Sequence, residues 1–207
     1  MIYITSDFHF NHKNILKYEK ETRPFETIEE MNEVLIENWN KMVEESDTVY
    51  MLGDIFMGLE EQGCIGDIMN RLKGKKILIK GNHDTSRRIA AMSPYLEGVY
   101  DMYNLKYDKR TFVLCHYPLK EWYEKEYGAI HLYGHVHSND HRNGEMQEGR
   151  ACHIGIDTNQ LRPISIVEIM NKFYPCKHKT RLEDKRMCLD CGKKIQKFTV
   201  NGNPMWI

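Results

Sequence analysis

Short apolar runs closed by a glycine or a polar residue punctuate the first two thirds of the chain. Ile2-Tyr3-Ile4-Thr5-Ser6, Thr48-Val49-Tyr50-Met51-Leu52, Lys76-Ile77-Leu78-Ile79-Lys80, Thr111-Phe112-Val113-Leu114-Cys115 and Ile130-His131-Leu132-Tyr133 are rich in β-branched and aromatic residues, the signature of short strands. A different period separates the first two. Thr27-Ile28-Glu29-Glu30 has the form of a capping box, and Ile28, Met31, Leu35, Trp39 and Met42 then recur on one helical face. A second helical stretch, Ile65 to Leu72, ends at Lys73-Gly74-Lys75 and feeds the next strand, as a strand–helix–strand crossover does. Ala151 to Asp157 and Pro163 to Ile169 read as two further strands joined by a turn at 158–162. The pattern predicts an α/β fold.

The polar residues that close the runs are not a random sample. Asp7 and His9 follow the first strand, Gly53-Asp54 the second, Gly81-Asn82-His83-Asp84 the third, His116 the fourth and Gly134-His135-Val136-His137 the fifth. In α/β sheets ligands bind at such strand ends. Carboxylate, carboxamide and imidazole donors without cysteine favour hard to borderline divalent ions, and there are enough of them for two adjacent ions.

The blocks D-x-H, G-D, G-N-H-D, a lone H and G-H-x-H, in this order and intact over residues 7–137, resemble the calcineurin-like metallophosphoesterases. The resemblance implies a four-layer α/β/β/α sandwich of two mixed sheets flanked by helices. It implies that Asp7, His9 and His137 hold one metal, that Asn82, His116 and His135 hold the other, and that Asp54 bridges them. The ions would be Mn²⁺, Fe²⁺, Ni²⁺, Co²⁺ or Zn²⁺. About 3.5 to 4 Å apart, they would share a hydroxide that attacks phosphorus in line with the departing oxygen. His83 is then the group that protonates or stabilises the leaving oxygen, and Asp84 either orients His83 or its loop or caps a helix.

Composition adds a core and a location. A chain of 207 residues with 41% hydrophobic content buries a real core. It contains no run of eighteen apolar residues, so no membrane span is expected. The first strand begins at Ile2 with no signal-peptide pattern before it, which makes the cytoplasm the expected compartment and its six cysteines reduced or metal-bound.

Charge then divides the chain. Residues 173–207 carry eight Lys or Arg against three acids, a formal +5, and leave −6 for residues 1–172. We expect a catalytic domain over 1–172 and a small module over 173–207. Cys176, His178, Cys188 and Cys191 form two close pairs of soft or borderline donors, suited to one tetrahedral structural Zn²⁺ in an arrangement that resembles a short zinc ribbon. So small a segment needs the metal for its folding energy. Its positive charge suits a polyanion such as nucleic acid; docking or stability is the other role open to it.

His12 and Arg87 are candidate substrate contacts in the loops after the first and third strands. His131, His141 and His153 read as structural or exposed, and Cys64, Cys115 and Cys152 as small buried hydrophobes. Specificity falls to the loops 55–63, 85–104 and 117–128, the last carrying Trp122, Tyr123 and Tyr127, which either stack a base or cover a core edge. The substrate is a phosphorylated molecule, a phosphomono- or phosphodiester with a nucleotide or nucleic-acid end among the options. The alternative class is a non-catalytic binding protein of the same fold that docks a partner or nucleic acid through the zinc module.

Overall fold

The computed structural model describes residues 1–57, 62–138 and 150–174, and the backbone of four short strands beyond them, at 181–182, 187–188, 197–200 and 203–206. The chain divides into two compact units, Met1–Ile166 and Val167–Ile207.

The first unit is built on two mixed sheets. Strands β1 (Ile2–Thr5), β2 (Thr48–Met51), β3 (Lys75–Ile79) and β4 (Leu96–Tyr100) run parallel, and the two-residue strand β9 (Ile164–Ser165) closes the far edge antiparallel to β1, giving the order β4-β3-β2-β1-β9. The second sheet has the order β5-β6-β7-β8, from β5 (Met102–Tyr107), β6 (Arg110–Cys115), β7 (Ile130–Tyr133) and β8 (Ala151–His153). Its β6, β7 and β8 are parallel and β5 is antiparallel to β6.

Helices cover the first sheet. The short α1 (Ile15–Tyr18) precedes α2 (Ile28–Met42), which starts where its sequence says: the Thr27 side chain accepts the Glu30 amide at 3.1 Å, and the Glu30 carboxylate accepts the Glu26 amide at 3.0 Å. Met31, Leu35 and Trp39 on its apolar face are buried with Val49, Met51 and Leu78 from the strands and with Ile65 and Met69 of α3 (Gln62–Arg71). The alternate strand positions, Ile4, Tyr50 and Ile79, are buried too, as period-two strands covered on both faces require. Tyr50 of β2 meets Tyr103 of β5 at 5.3 Å between ring centres, linking the sheets. Over the second sheet lies the segment 117–129, whose Trp122 packs on Val113 and Ala129. Trp122 therefore covers a core edge, and Tyr123 and Tyr127 are exposed.

Three expectations need correction. The run 163–169 is a strand only at Ile164–Ser165; from Ile166 it becomes the helix α5 (Ile166–Phe173). Ile166, Ile169, Met170 and Phe173 have helical spacing, and that period prevails over β-branched propensity. The run 151–157 leaves the strand after His153 and ends in a 3-10 turn, Ile156–Thr158. Residues 85–104 are no loop: they hold α4 (Ser86–Met92), β4 and the start of β5. His141, Cys176, His178 and Cys191 lie outside the described residues, and of Cys188 only the backbone, in the strand Met187–Cys188, is described. Among the described residues no helix is long and apolar enough to cross a membrane.

Candidate metal centre

Parallel strands point their C-terminal ends one way, so β1, β2 and β3 deliver Asp7, Asp54 and Asn82 to one edge, where β6 and β7 deliver His116 and His135. The chain turns sharply there. Asp7, His9, Asp54, His135 and His137 all have left-handed backbones, with φ of 62°, 51°, 56°, 74° and 51°. Such a conformation costs an L-residue with a Cβ on the order of 1 kcal/mol or more, and it clusters at functional sites. Hydrogen bonds between the loops hold it: the Asp7 amide donates to Gly53 O at 3.1 Å, the His9 amide to Asp54 O at 3.0 Å, and the His135 amide to the Asp7 carboxylate at 3.0 Å. The glycines make the approach possible. A Cβ on Gly81 would strike the Asp54 carboxylate, and one on Gly134 would strike the Ser6 and Asp7 side chains.

Two donor groups result. Asp7, His9 and His137 form one and Asp54, His116 and His135 the other, with the ligand atoms of each group within 4.8 Å of one another. Asn82 joins the second: its Oδ1 lies 2.9 Å from both His116 Nε2 and His135 Nδ1. Asp54 Oδ2 stands between the groups, 3.4 Å from His116 Nε2 and 3.8 Å from His9 Nε2. The donors fit divalent ions by a direct observation. His9 Nε2 is buried with no hydrogen-bond partner, and burial lowers the His9 pKa well below that of a free imidazole, so a neutral ring aims an unused nitrogen at the centre.

Each of these imidazoles but one is also held from behind. His137 Nδ1 donates to Asp157 Oδ2 at 2.8 Å, which leaves Nε2 for the centre, and His116 Nδ1 donates to Leu52 O at 2.7 Å. His9 Nδ1 pairs with His12 Nδ1 at 3.2 Å. His135 uses Nδ1 itself toward the centre. Behind Asp157 lies Arg23, both side chains fully buried. Its guanidinium binds both Asp157 oxygens, at 2.7 and 2.9 Å, and donates to the carbonyls of Asp7 and Phe8 at 2.6 and 2.7 Å. One side chain thus ties the loop that carries Asp7 and His9 to the carboxylate that orients His137.

The electrostatics follow from these contacts. Burial raises the Asp7 carboxyl. Burial would raise Asp54 as well, but His116 and the His83 amide outweigh it and hold Asp54 at about 2. His116, which burial alone would lower, is held up at about 9 by the same carboxylate. Burial lowers His135, and it lowers His12 to about 4. Against burial, Arg23 and His137 hold Asp157 far below the usual carboxylate range.

His83 belongs to neither donor group. Its amide donates to Asp54 Oδ1 at 2.8 Å, its carbonyl accepts Arg88 Nη1 at 2.6 Å, and its partly exposed ring sits 5.4 Å from that of His9. Asp84 braces the loops, accepting the amides of Asp54 and Gly81 at 3.0 and 2.8 Å. The N-cap of α4 is Thr85, so of the roles open to Asp84 the loop brace is the one its contacts match. Arg87 is exposed on α4, whereas its neighbour Arg88 is buried and turned to His83. His12 lies half-buried beside His9, and His131 is a core residue, with Nδ1 donating to Val113 O and Nε2 accepting the Leu119 amide. His153 packs on Tyr133 and bonds Thr158.

Sequence reasoning missed Arg23, Asp157 and Tyr117, whose ring stands 5.0 and 4.9 Å from those of His116 and His135. Asp157 had a signal: like the other donors it closes an apolar run after a glycine. Arg23, in a stretch without periodicity, had none.

Comparisons with known proteins bear on the family and the fold. The chain is 31% identical over 176 residues to the uncharacterized protein MJ1445 of Methanocaldococcus jannaschii, covering 83% of this chain and 92% of that one. Its fold is similar to the crystal structure of a protein of unknown function from Aquifex aeolicus, with a TM-score of 0.67 at 27% identity over 83% of this chain and 98% of the other. Residues 1–150 match the model of the calcineurin-like phosphoesterase superfamily domain. With that match over most of its length, and with two donor groups suited to divalent ions at its strand ends, the chain belongs to the calcineurin-like phosphoesterase superfamily.

Proposed function

We propose that the protein hydrolyses phosphate esters with two divalent metal ions. Asp7, His9 and His137 would hold one, Asn82, His116 and His135 the other, and Asp54 would be shared. The observation that carries this reading is the placing of Asp54 Oδ2 between two donor groups, one of which contains a buried imidazole nitrogen with no other partner. The bound ions would supply charge neutralisation for the phosphoryl oxygens and an acidified water as nucleophile.

The chain's own residues do the rest. Asp157 and Leu52 O fix the tautomers of His137 and His116, so that Nε2 of each is left for the centre with its lone pair, while His12 pairs with Nδ1 of His9 and leaves its Nε2 without another partner. His83, anchored through its main chain to Asp54 and Arg88, belongs to neither donor group but brings its Nε2 to 3.9 Å from Asp54 Oδ2, and is the group to protonate the leaving oxygen. The left-handed loops arrive pre-formed, so positioning is part of folding and is not repeated at each turnover.

The tail belongs to the same proposal. Cys176, His178, Cys188 and Cys191 would hold a structural zinc in a module over 173–207, and its positive charge would keep a nucleic-acid end or a docking partner near residues 1–172. The deciding experiment assays phosphomono- and phosphodiesters after chelation and reloading with Mn²⁺, Ni²⁺, Co²⁺, Zn²⁺ or Mg²⁺. Metal-dependent release of product from one class is the expected result. Saturable metal binding without turnover on any ester would favour a binding protein.

A further inference from the structure

A cavity of about 600 Å³ opens beside the first donor group, between the loop after β1, the first turn of α2 and the start of α4. Two of its lining residues touch the centre. His12 is the partner of His9, and Arg88 is the donor to the His83 carbonyl. Ile28 and Met57 give it apolar walls, and Asn11 and Asn14 bring carboxamides that both donate and accept. Lys13, Glu29 and the buried Arg88 bring charged groups to its wall. None of these residues belongs to either donor group.

Position and chemistry together restrict the occupant. In an in-line displacement the nucleophile and the departing oxygen lie on opposite sides of phosphorus, and the acid marks the departing side. Arg88, one of the lining residues, holds the main-chain carbonyl of the residue that carries that acid, His83. Binding sites for small molecules occupy roughly 300–1,000 Å³, are mostly apolar and carry a few convergent polar groups, and this cavity falls within that description. A phosphorylated serine would leave it to water. A base-paired duplex keeps its bases inside the stack and cannot offer one to it. A single nucleoside offers a flat apolar body with donor and acceptor edges of the kind carboxamides pair with.

We propose that this cavity is the leaving-group subsite and that it takes one nucleoside, esterified through a sugar hydroxyl to the phosphoryl group under attack; the assignment rests on the phosphoesterase reading above. Water oxygen forms the new bond to phosphorus and gives up a proton to solvent. The bond from phosphorus to the sugar oxygen breaks, and that oxygen takes its proton from His83. The products are a nucleoside hydroxyl and phosphate, or a phosphomonoester where the substrate is a diester.

The test fills the cavity. Met57→Trp changes a half-buried side chain whose backbone amide alone bonds Phe10 O, and Asn14→Trp changes an exposed one that makes no capping bond. With Mn²⁺, the full-length protein and both variants are assayed on adenosine 5′-phosphate and methyl phosphate and on the corresponding methyl diesters. Wild type should prefer the adenosine ester by tenfold or more in kcat/KM, and that ratio should fall to near one in at least one variant. A wild-type ratio near one, or a ratio neither variant moves, would overturn the subsite. If no ester is cleaved, the phosphoesterase reading fails and equilibrium dialysis of adenosine decides the cavity separately. Saturable binding lost in the variants keeps a nucleoside site there, and absence of binding removes it.

Discussion

The two donor groups share one strand-end edge and one carboxylate between them, yet they are held by opposite means. Asp7, His9 and His137 are clamped from outside: Arg23 and Asp157 fix the loop and the imidazole through buried bonds that exist before any ion arrives. Asp54, Asn82, His116 and His135 lean on one another and on single neighbours, Leu52 O behind His116 and the His83 amide on Asp54, with His135 and Asn82 at the exposed rim. With no ion bound, the Asp54 carboxylate, against burial, raises His116 to about 9, so that a proton there would take the role of a cation beside Asp54. The first group is therefore pre-organised by the scaffold, and the second by a charge that an incoming metal has to replace.

The residue between the groups should give the largest effect. Asp54→Ala is expected to abolish hydrolysis and to lower metal content at both groups, because the loss leaves each a donor short. Elemental analysis beside the assay checks this; two full metal equivalents with turnover would break the sharing of Asp54. His83→Ala should act on chemistry alone, with metal content kept and kcat reduced about 10²- to 10⁴-fold. The loss should shrink for p-nitrophenolate, which departs without a proton. Equal losses on good and poor leaving groups would make His83 a positioning residue.

The clamp itself comes next. Asp157→Asn should weaken metal binding at the first group about 10- to 100-fold while the second keeps its affinity, measured by competition with a chelating dye. Equal weakening of both would show that the two groups form one cooperative unit. Arg23→Met should cost about 3 to 5 kcal/mol of folding stability, read by urea denaturation, because it takes the guanidinium from a buried Asp157 carboxylate and leaves it only His137 and the Thr22 hydroxyl.

That clamp is also where the sequence was least legible. Donors such as Asp54 and His116 could be found because each follows a strand with a clear apolar pattern, and the pattern itself puts them on one edge. Arg23 acts through a fold that brings it to a residue 134 positions away, and nothing local announces a partner at that distance. The same limit hid α5 and β4. Ile164 to Ile169 satisfies strand propensity and helix period at once, and Leu96 to Tyr100 has an alternation too weak to count until β3 lies beside it. Local chemistry was readable, and the non-local support that orients it was not.

Protonation offers a smaller effect that separates the groups. His116 is raised from 6.5 to about 9, so a metal entering the second group displaces a proton across the neutral range. Its affinity should rise about tenfold per pH unit up to pH 9 and level off there. In the first group His9 is already neutral, but against burial the Asp157 carboxylate raises His137 above 6.5, so affinity there should also rise with pH and level off at a lower pH than in the second. For stability of the metal-free protein the His116 shift acts in the opposite sense to its effect on metal affinity. The raised His116 contributes stability present below pH 6.5 and lost as pH rises through about 9. The lowered Asp54 contributes stability present above pH 3.8 and lost as pH falls toward about 2. Thermal unfolding of the chelated protein should therefore peak between about pH 4 and 6.5 so far as this pair decides it. A maximum displaced above pH 8 would mean that His116 is neutral in the metal-free state.

The smallest effect on both groups should come from the tail. Every proposed donor to the two ions lies within residues 7–137, so Cys188→Ser or Cys191→Ser should release one tightly held zinc and leave hydrolysis of a small synthetic phosphodiester within about twofold of wild type. Reach sets the difference, since a substrate that ends at the phosphoryl group would touch nothing but the strand-end edge. A longer anion differs: if the eight cationic residues beyond residue 172 hold it, the same variants should weaken oligonucleotide binding and flatten its dependence on salt. Unchanged oligonucleotide affinity with zinc lost would assign the tail to docking or stability. A large fall in the small-substrate rate would mean that the tail supports the donor groups after all, and the contrast between them would have to include a third region.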